Sequence, residues 1–284
     1  MIRVFSPAKV NLFLKVLSKR PDGYHELETL FERLSLGDTL MIRRAPKLRF
    51  RTDGQKIPTG SANLVMKAAN LLKERYRVKQ GADLYLKKRI PVAAGLGGGS
   101  SNAAATLVGL NRFWKLGLSK RKLLSLAAEL GSDVPFFILD KAYAIGAGRG
   151  ERLKPLSGGP RLWHCLVKPP FGISTKEAYA ALGGRFLTHP GADVRMLVRL
   201  LRTGDREGLS KHLINSLELA LNKRVTDISK IKKALLETGA FAALMSGSGS
   251  TVFGLYQSEK AAMHGAGQLR KKSKRWKVFI ASTY

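Results

Sequence analysis

Cysteine, acidic residues and long apolar runs are scarce in this sequence, and each scarcity excludes something. Cys165 is the single cysteine in 284 residues, so no internal disulfide can form, and a reducing, cytoplasmic setting is expected. Only 20 Asp+Glu stand against 50 Lys+Arg, a formal net charge of +30 at pH 7. Such a balance draws in polyanions, whether nucleic acid or phosphorylated metabolites, and says nothing about fold. No stretch approaches the ~20 apolar residues of a membrane span, and Met1 to Pro7 holds no apolar run of signal-peptide length. A soluble, unprocessed chain without a membrane partner is expected. Internal repeats and low-complexity tracts are also lacking.

What is present is enough apolar material, 44% of the chain, to fill one large core or two modest ones. Ala82 to Leu86 alternates like a half-buried strand, and Asn102 to Trp114 places Ala103, Leu107, Leu110 and Trp114 on one helical stripe. A helix over Ser119–Leu130 has Ser119 as its N-cap and Gly131 as its C′ residue. Pro and Gly concentrate in Leu153–Arg161, which reads as a linker. Beyond it, Leu162–Val167 reads as a strand, and Ser174 to Glu177 has capping-box spacing before a helix. Helices are expected around Asp193–Leu201, Asp205–Leu221 and Thr226–Thr238. Two short strands around a glycine turn, a helix from Ser258 and a last strand at Lys277–Ala281 complete the pattern. The order indicates an α+β chain with domains 1–155 and 156–284.

The densest signal is Pro91-Val92-Ala93-Ala94-Gly95-Leu96-Gly97-Gly98-Gly99-Ser100-Ser101-Asn102, between a strand and a helix. Glycines allow close backbone approach and positive φ, and the free N–H groups of a helix's first turn attract an anion. Ser100 and Ser101 add hydroxyls for phosphate or for phosphate-bound magnesium. A Walker A loop would need a lysine between Gly95 and Asn102, and there is none. A dinucleotide fingerprint would need Gly or Ala at Ser100 and an acid ~20 residues on, also missing. A tight turn without a ligand is the plain alternative. The second cluster, Ser246-Gly247-Ser248-Gly249-Ser250-Thr251, taken alone is an ordinary hairpin loop.

Lys9 and Asn11 lie two apart in an apolar strand and therefore share a face. A lysine on a buried face calls for an anion, while an exposed face with a solvated lysine fits the same pattern. Pro21-Asp22-Gly23 makes a turn, and Tyr24-His25 after it suits a flat heterocycle or forms an ordinary turn edge. Asp133, in Gly131-Ser132-Asp133-Val134-Pro135, reads as an N-cap or as a group orienting an attacking hydroxyl. Phosphoryl transfer asks for a phosphate cradle, a metal, a cation and a positioning base, and a candidate exists for each protein group.

Together, Pro7-Ala8-Lys9-Val10-Asn11-Leu12, the Pro91–Asn102 loop and Ser246–Thr251 resemble the three motifs of the GHMP small-molecule kinases. Asp22 to Leu27 and Gly131 to Phe137 narrow the resemblance to the branch acting on a cytidine-diphosphate-linked methylerythritol. The resemblance implies a GHMP kinase fold, with an N-terminal α/β domain like that of ribosomal protein S5 and a C-terminal ferredoxin-like domain. It implies phosphoryl transfer from ATP, with magnesium, to the tertiary 2-hydroxyl of that substrate, in the non-mevalonate isoprenoid pathway. ATP would lie on Pro91, Val92, Ala93, Ala94, Gly95, Leu96, Gly97, Gly98, Gly99, Ser100 and Ser101, with Lys88 and Asn63 on the adenosine side. Lys9 and Asp133 match the catalytic pair. Asn11, Tyr24 and His25 match cytidine-holding positions, Tyr179 and Thr175 lie near the other side of the base, and Gly247 and Gly249 would close over the substrate's phosphates. Ser216 stands where many relatives carry Asp, so Asn215–Glu218 is given no catalytic part, and no acidic magnesium ligand stands out.

Two alternatives compete with this reading. One is a sibling kinase of the mevalonate, homoserine or galactose type, against which Tyr24-His25 argues. The other is a nucleic-acid-binding protein, prompted by the charge and by the basic run Leu269–Lys277. It explains neither glycine loop, which leaves nucleic-acid binding incidental. Nothing in the sequence sets an oligomeric state.

Overall fold

In a computed structural model of the protein, the structure describes residues 1–55, 57–183, 191–218 and 224–284. In chain order the elements are β1 (Ile2–Lys19), β2 (His25–Arg43), β3 (Arg49–Asp53), α1 (Leu64–Arg75), β4 (Asp83–Lys87), α2 (Gly98–Phe113), α3 (Lys120–Leu130), α4 (Val134–Leu139), β5 (Tyr143–Gly148), β6 (Arg152–Leu156) and β7 (Trp163–Lys168). They continue as α5 (Thr175–Ala180), α6 (Val194–Thr203), α7 (Arg206–His212), β8 (Ile214–Asn215), α8 (Val225–Glu237), β9 (Ala242–Met245), β10 (Val252–Tyr256), α9 (Glu259–Lys272) and β11 (Lys277–Ser282).

The chain divides into two compact units. The first comprises Met1–Ala8, Gly37–Val92 and Gly97–Lys141; the second comprises Lys9–Leu36, Ala93–Leu96 and Ala142–Tyr284. Leu153–Pro155 is not a linker but part of β6, which pairs antiparallel with β5 (Tyr143 opposite Leu156). The Pro and Gly residues that suggested a linker belong to an edge strand and the turn after it, where a missing N–H costs little.

In the first unit, β3 runs parallel to β4, and β4 pairs antiparallel with the second half of β2 (Leu40 opposite Leu86). Helices α1 to α4 supply buried faces: Val65, Ala68, Ala69 and Leu72 from α1, and Ala103, Leu107 and Leu110 from α2. Ser119 caps α3 by accepting from the N–H of Lys122, as its spacing predicts. Helix α2 begins at Gly98, four residues before the expected Asn102, so the glycine loop supplies its first turn.

The second unit contains the antiparallel sheet β11-β7-β10-β9, with Cys165 opposite both Gly254 and Ile280. The sequence β7–α8–β9–β10–α9–β11 with that spatial order is the ferredoxin-like arrangement expected. Leu235 and Ile231 of α8, and Ala262, Ala266 and Leu269 of α9, share one core with Cys165, Val167, Met245 and Val252. The first half of β2 pairs with β5 (Leu30 opposite Ile145), and β8 lies parallel to β1 (Phe13 opposite Ile214).

The helix expected over Asp205–Leu221 is shorter. Asp205 caps α7, which stops at His212; Leu213 is extended, and Ile214–Asn215 join β1 as a strand. Strand pairing and the Asn215 side chain outweigh helix propensity there, and residues 219–221 of that expectation lie outside the described residues.

Candidate active site

In the first unit the helix-forming half of the glycine loop rests on a buried polar network. Lys88 reaches the Asp38 carboxylate at 2.7 Å, their side chains only 4% and 0% exposed, and donates a second hydrogen bond to the carbonyl of Ile90 at 2.8 Å. Asp38 also accepts from the backbone N–H groups of Arg89 and Ile90 and from the amide of Asn102. Asn102 donates to the Ser6 hydroxyl, and Ser6 donates to Ser101 at 2.8 Å. The loop's entry is held separately: Gln55 donates to the Ile90 carbonyl and accepts from the N–H of Val92.

Lys88, expected on the adenosine side of a nucleotide, is therefore ion-paired beneath the loop. Burial pushes its ammonium below the usual lysine range, while Asp38 pulls it back. Asn63 is also engaged: it caps α1 by accepting from the N–H of Val65 and donates to the carbonyl of Pro58. Asp133 occupies the N-cap position of α4 and is half-buried, but its side chain makes no capping hydrogen bond there. The plain reading of Asp133 as a helix cap is thus set aside, whereas at Asn63 the capping role is the one the structure shows.

In the second unit Lys9 and Asn11 face inward, 4% and 1% exposed, so the solvated-lysine alternative fails. Lys9 Nζ donates to Asn11 Oδ1 at 2.6 Å and sits 5.3 Å from the centroid of the Phe31 ring. Asn11 in turn donates to Thr29, whose hydroxyl bonds the carbonyl of Phe13. The backbone N–H of Lys9 bonds the carbonyl of Leu96, and that of Thr251 bonds the carbonyl of Ala94, fixing the first half of the glycine loop.

The second glycine loop lies in the same place. A Cβ on Gly247 would fall 3.2 Å from Asn11 Oδ1, 3.2 Å from the carbonyl oxygen of Gly95 and 3.3 Å from Lys9 Nζ. Lys9, Asn11, Gly95 and Gly247, drawn from three distant segments, are thus in one cluster. Gly249 packs against Met245 and Ile173.

The motif given no catalytic part, Asn215–Glu218, holds this loop. Asn215 donates to the carbonyls of Met245 and Gly247, both at 2.8 Å, and Glu218 accepts from the N–H of Met245 while pairing with Lys232 at 2.7 Å. Sequence reasoning missed it because it followed the position of Ser216, which bonds the β1 backbone. Asp38 was missed as well, since a lone aspartate in Leu36-Gly37-Asp38 carries no signal of its four backbone and side-chain partners.

Of the expected cytidine-binding residues, His25 and Tyr179 are brought together, stacked with ring centroids 5.0 Å apart. Burial, and behind it the charge of Lys19, lowers the His25 pKa below its usual value. Tyr24 points away from burial, 53% exposed, with the Arg149 guanidinium 4.7 Å from its ring centroid. Thr175 lies 3.4 Å from Ser248 across their hydroxyls, beside the second glycine loop. Among the described residues no group of three or more His, Cys, Asp or Glu side chains is assembled to hold a metal, and no helix is long and apolar enough to cross a membrane.

Comparison with known proteins agrees with this geometry. The GHMP kinases N terminal domain matches residues 63–141, and the GHMP kinases C terminal domain matches residues 197–274. The chain is 45% identical to 4-diphosphocytidyl-2-C-methyl-D-erythritol kinase of Pelotomaculum thermopropionicum, over 100% of this chain and 98% of that protein. It is 43% identical to the enzyme of the same name from Bacillus subtilis, over 89% and 88%. A crystal structure of 4-(cytidine 5'-diphospho)-2C-methyl-D-erythritol kinase superposes with a TM-score of 0.84 at 34% identity, covering 99% of this chain and 98% of that one. A homoserine kinase from Cytophaga hutchinsonii shares the fold, with a TM-score of 0.76 at 20% identity, covering 100% and 94%. The chain belongs to the 4-diphosphocytidyl-2-C-methyl-D-erythritol kinases, a family of the GHMP kinases.

Proposed function

We propose that this kinase transfers the γ-phosphoryl group of ATP to the tertiary 2-hydroxyl of 4-diphosphocytidyl-2-C-methyl-D-erythritol, giving the 2-phosphate and ADP. The observation that carries the reading is the buried cluster of Lys9, Asn11, Gly95 and Gly247. A buried ammonium beside Asn11, against two backbone turns free of Cβ atoms, suits a transferring phosphoryl group. Lys9 would stabilise charge on that group. Asp133, at the start of α4, would orient the attacking hydroxyl or accept its proton. In a loose transition state positioning outweighs full proton abstraction.

ATP phosphates would lie along Gly95–Ser101, with the N–H groups at the start of α2 as donors. Lys88 and Asn63 would act by shaping this loop and the start of α1 rather than by touching the nucleotide. Magnesium, arriving on phosphate oxygens, would shield their charge, with Ser100 as a protein donor. His25 and Tyr179 offer a flat surface and a ring nitrogen to a cytosine, and Thr175 borders the second loop, in which Gly247 and Gly249 would close over the substrate's phosphates.

The test is Asp133→Asn. Turnover should fall by roughly 10²-fold or more, as for loss of a general base, with ATP affinity nearly unchanged. A variant turning over at a near-native rate would remove Asp133 from the reaction.

A further inference from the structure

A cavity lies within the first unit, away from the glycine loop. It encloses about 400 Å³ and is lined by Arg44, Gln80, Arg112, Phe113, Trp114 and Lys115, together with the first two residues of the chain. It sits at the C-terminal end of α2, whose 16 residues place it about 24 Å from the phosphate loop at the other end. Its volume falls in the range of small-molecule sites, about 300–1,000 Å³.

Three cations from two parts of the chain converge there without an acidic residue in the lining. Among the described residues, the side chains of Arg44, Arg112 and Lys115 make no hydrogen bond or ion pair. A basic residue in the last turn of a helix is ordinary, because it complements the helix dipole. That accounts for Arg112 alone. It does not account for Arg44, which follows β2, nor for the aromatic wall. The second observation is the indole of Trp114. The residue is only 8% exposed, yet its Nε1–H is buried with no hydrogen-bond partner. Buried donors are rarely left so. The loop that follows is pinned, with Asn111 bonding both the N–H and the carbonyl of Leu118, so the wall is preformed.

We infer that this cavity is a binding site for a small organic phosphate, a phosphate ester carrying a flat or apolar group, distinct from both substrate sites. The guanidinium groups of Arg44 and Arg112 take the phosphate in the forked geometry that suits them. The apolar group lies against Phe113 and Trp114.

The probe is phenyl phosphate, added to the whole kinase with its nucleotide site filled by a non-hydrolysable ATP analogue. The readout is the indole N–H resonances of ¹⁵N-labelled tryptophan. The chain has three tryptophans, and Trp114→Phe assigns the relevant signal. Phenyl phosphate should shift the Trp114 resonance saturably, while phenol should not and inorganic phosphate should bind more weakly. Arg44→Glu with Arg112→Glu should weaken binding about tenfold or more, with the unfolding temperature near that of the parent because both side chains are exposed. Arg44→Gln alone serves if the double variant folds poorly, and should weaken binding in the same direction. An unmoved Trp114 signal, undiminished binding by the arginine variants, or equal affinity for inorganic phosphate would each overturn the inference.

Discussion

Ser246 donates its hydroxyl to the carbonyl of Gly95 at 3.0 Å, joining two glycine-rich segments 151 residues apart in the sequence. Gly95 has φ +73, and a Cβ there would lie 2.0 Å from the carbonyl oxygen of Ser246 and 2.9 Å from the backbone nitrogen of Gly249. Neither neighbour is a flexible side-chain end that can swing aside. Gly95→Ala should therefore cost about 2–5 kcal/mol, adding left-handed strain to overpacking, and should abolish measurable ATP affinity. Ser246→Ala removes the hydrogen bond alone and should cost about 1 kcal/mol. Denaturant midpoints of the two variants, with nucleotide titrations, check the contrast.

Beneath the loop, Asp38→Ala would strand Lys88 as a buried, uncompensated charge. A loss of about 3–5 kcal/mol is expected, together with weaker ATP binding as α2 loses its tie to Asn102 and Ser6. The double variant Asp38→Leu/Lys88→Met should regain part of the stability but not the ATP affinity. Equilibrium unfolding of the single and double variants decides this, since additive losses would show that the pair is not coupled.

Asn215→Ala frees the carbonyls of Met245 and Gly247 and should cost about 1–3 kcal/mol. Because Gly247 abuts Lys9 and Asn11, the KM for the alcohol substrate should rise as well. Steady-state kinetics with an unaltered KM would leave Asn215 a purely structural role.

The His25 imidazole has a pKa below the usual 6.5, chiefly through burial. It is therefore neutral at pH 7, and its burial favours folding above its unfolded pKa and loses that advantage as pH falls through the lower folded value. The KM for the cytidine substrate should be flat above about pH 6.5 and rise below it as the ring protonates. A KM–pH profile for His25→Asn should lack that rise; an unchanged profile would assign the titration elsewhere.

How far the sequence reveals this arrangement differs from residue to residue. The spacing of Lys9 and Asn11 shows that they share a face but not that the face is buried, because burial depends on Gly247, which is remote in sequence. The glycine loop is legible because four glycines in Gly95–Gly99 have few other uses. Caps at Ser119 and Ser174 follow from local chemistry and appear where expected. What local pattern could not supply was long-range satisfaction. Asp38, Asn215 and Thr29 act through partners on other elements, and the strand at Ile214–Asn215 exists only because Phe13 and Leu14 offer an edge. Leu153–Pro155 misled for the converse reason, since Pro and Gly mark an edge strand as readily as a linker.

The most direct test of the central claim is a coupled ADP-release assay with ATP, magnesium and 4-diphosphocytidyl-2-C-methyl-D-erythritol, run beside mevalonate, homoserine and galactose. ADP release with the cytidine substrate alone is the predicted result. Release with one of the other alcohols in its place would contradict the assignment of His25 and Tyr179 to a cytosine and move the chain to another branch of its superfamily.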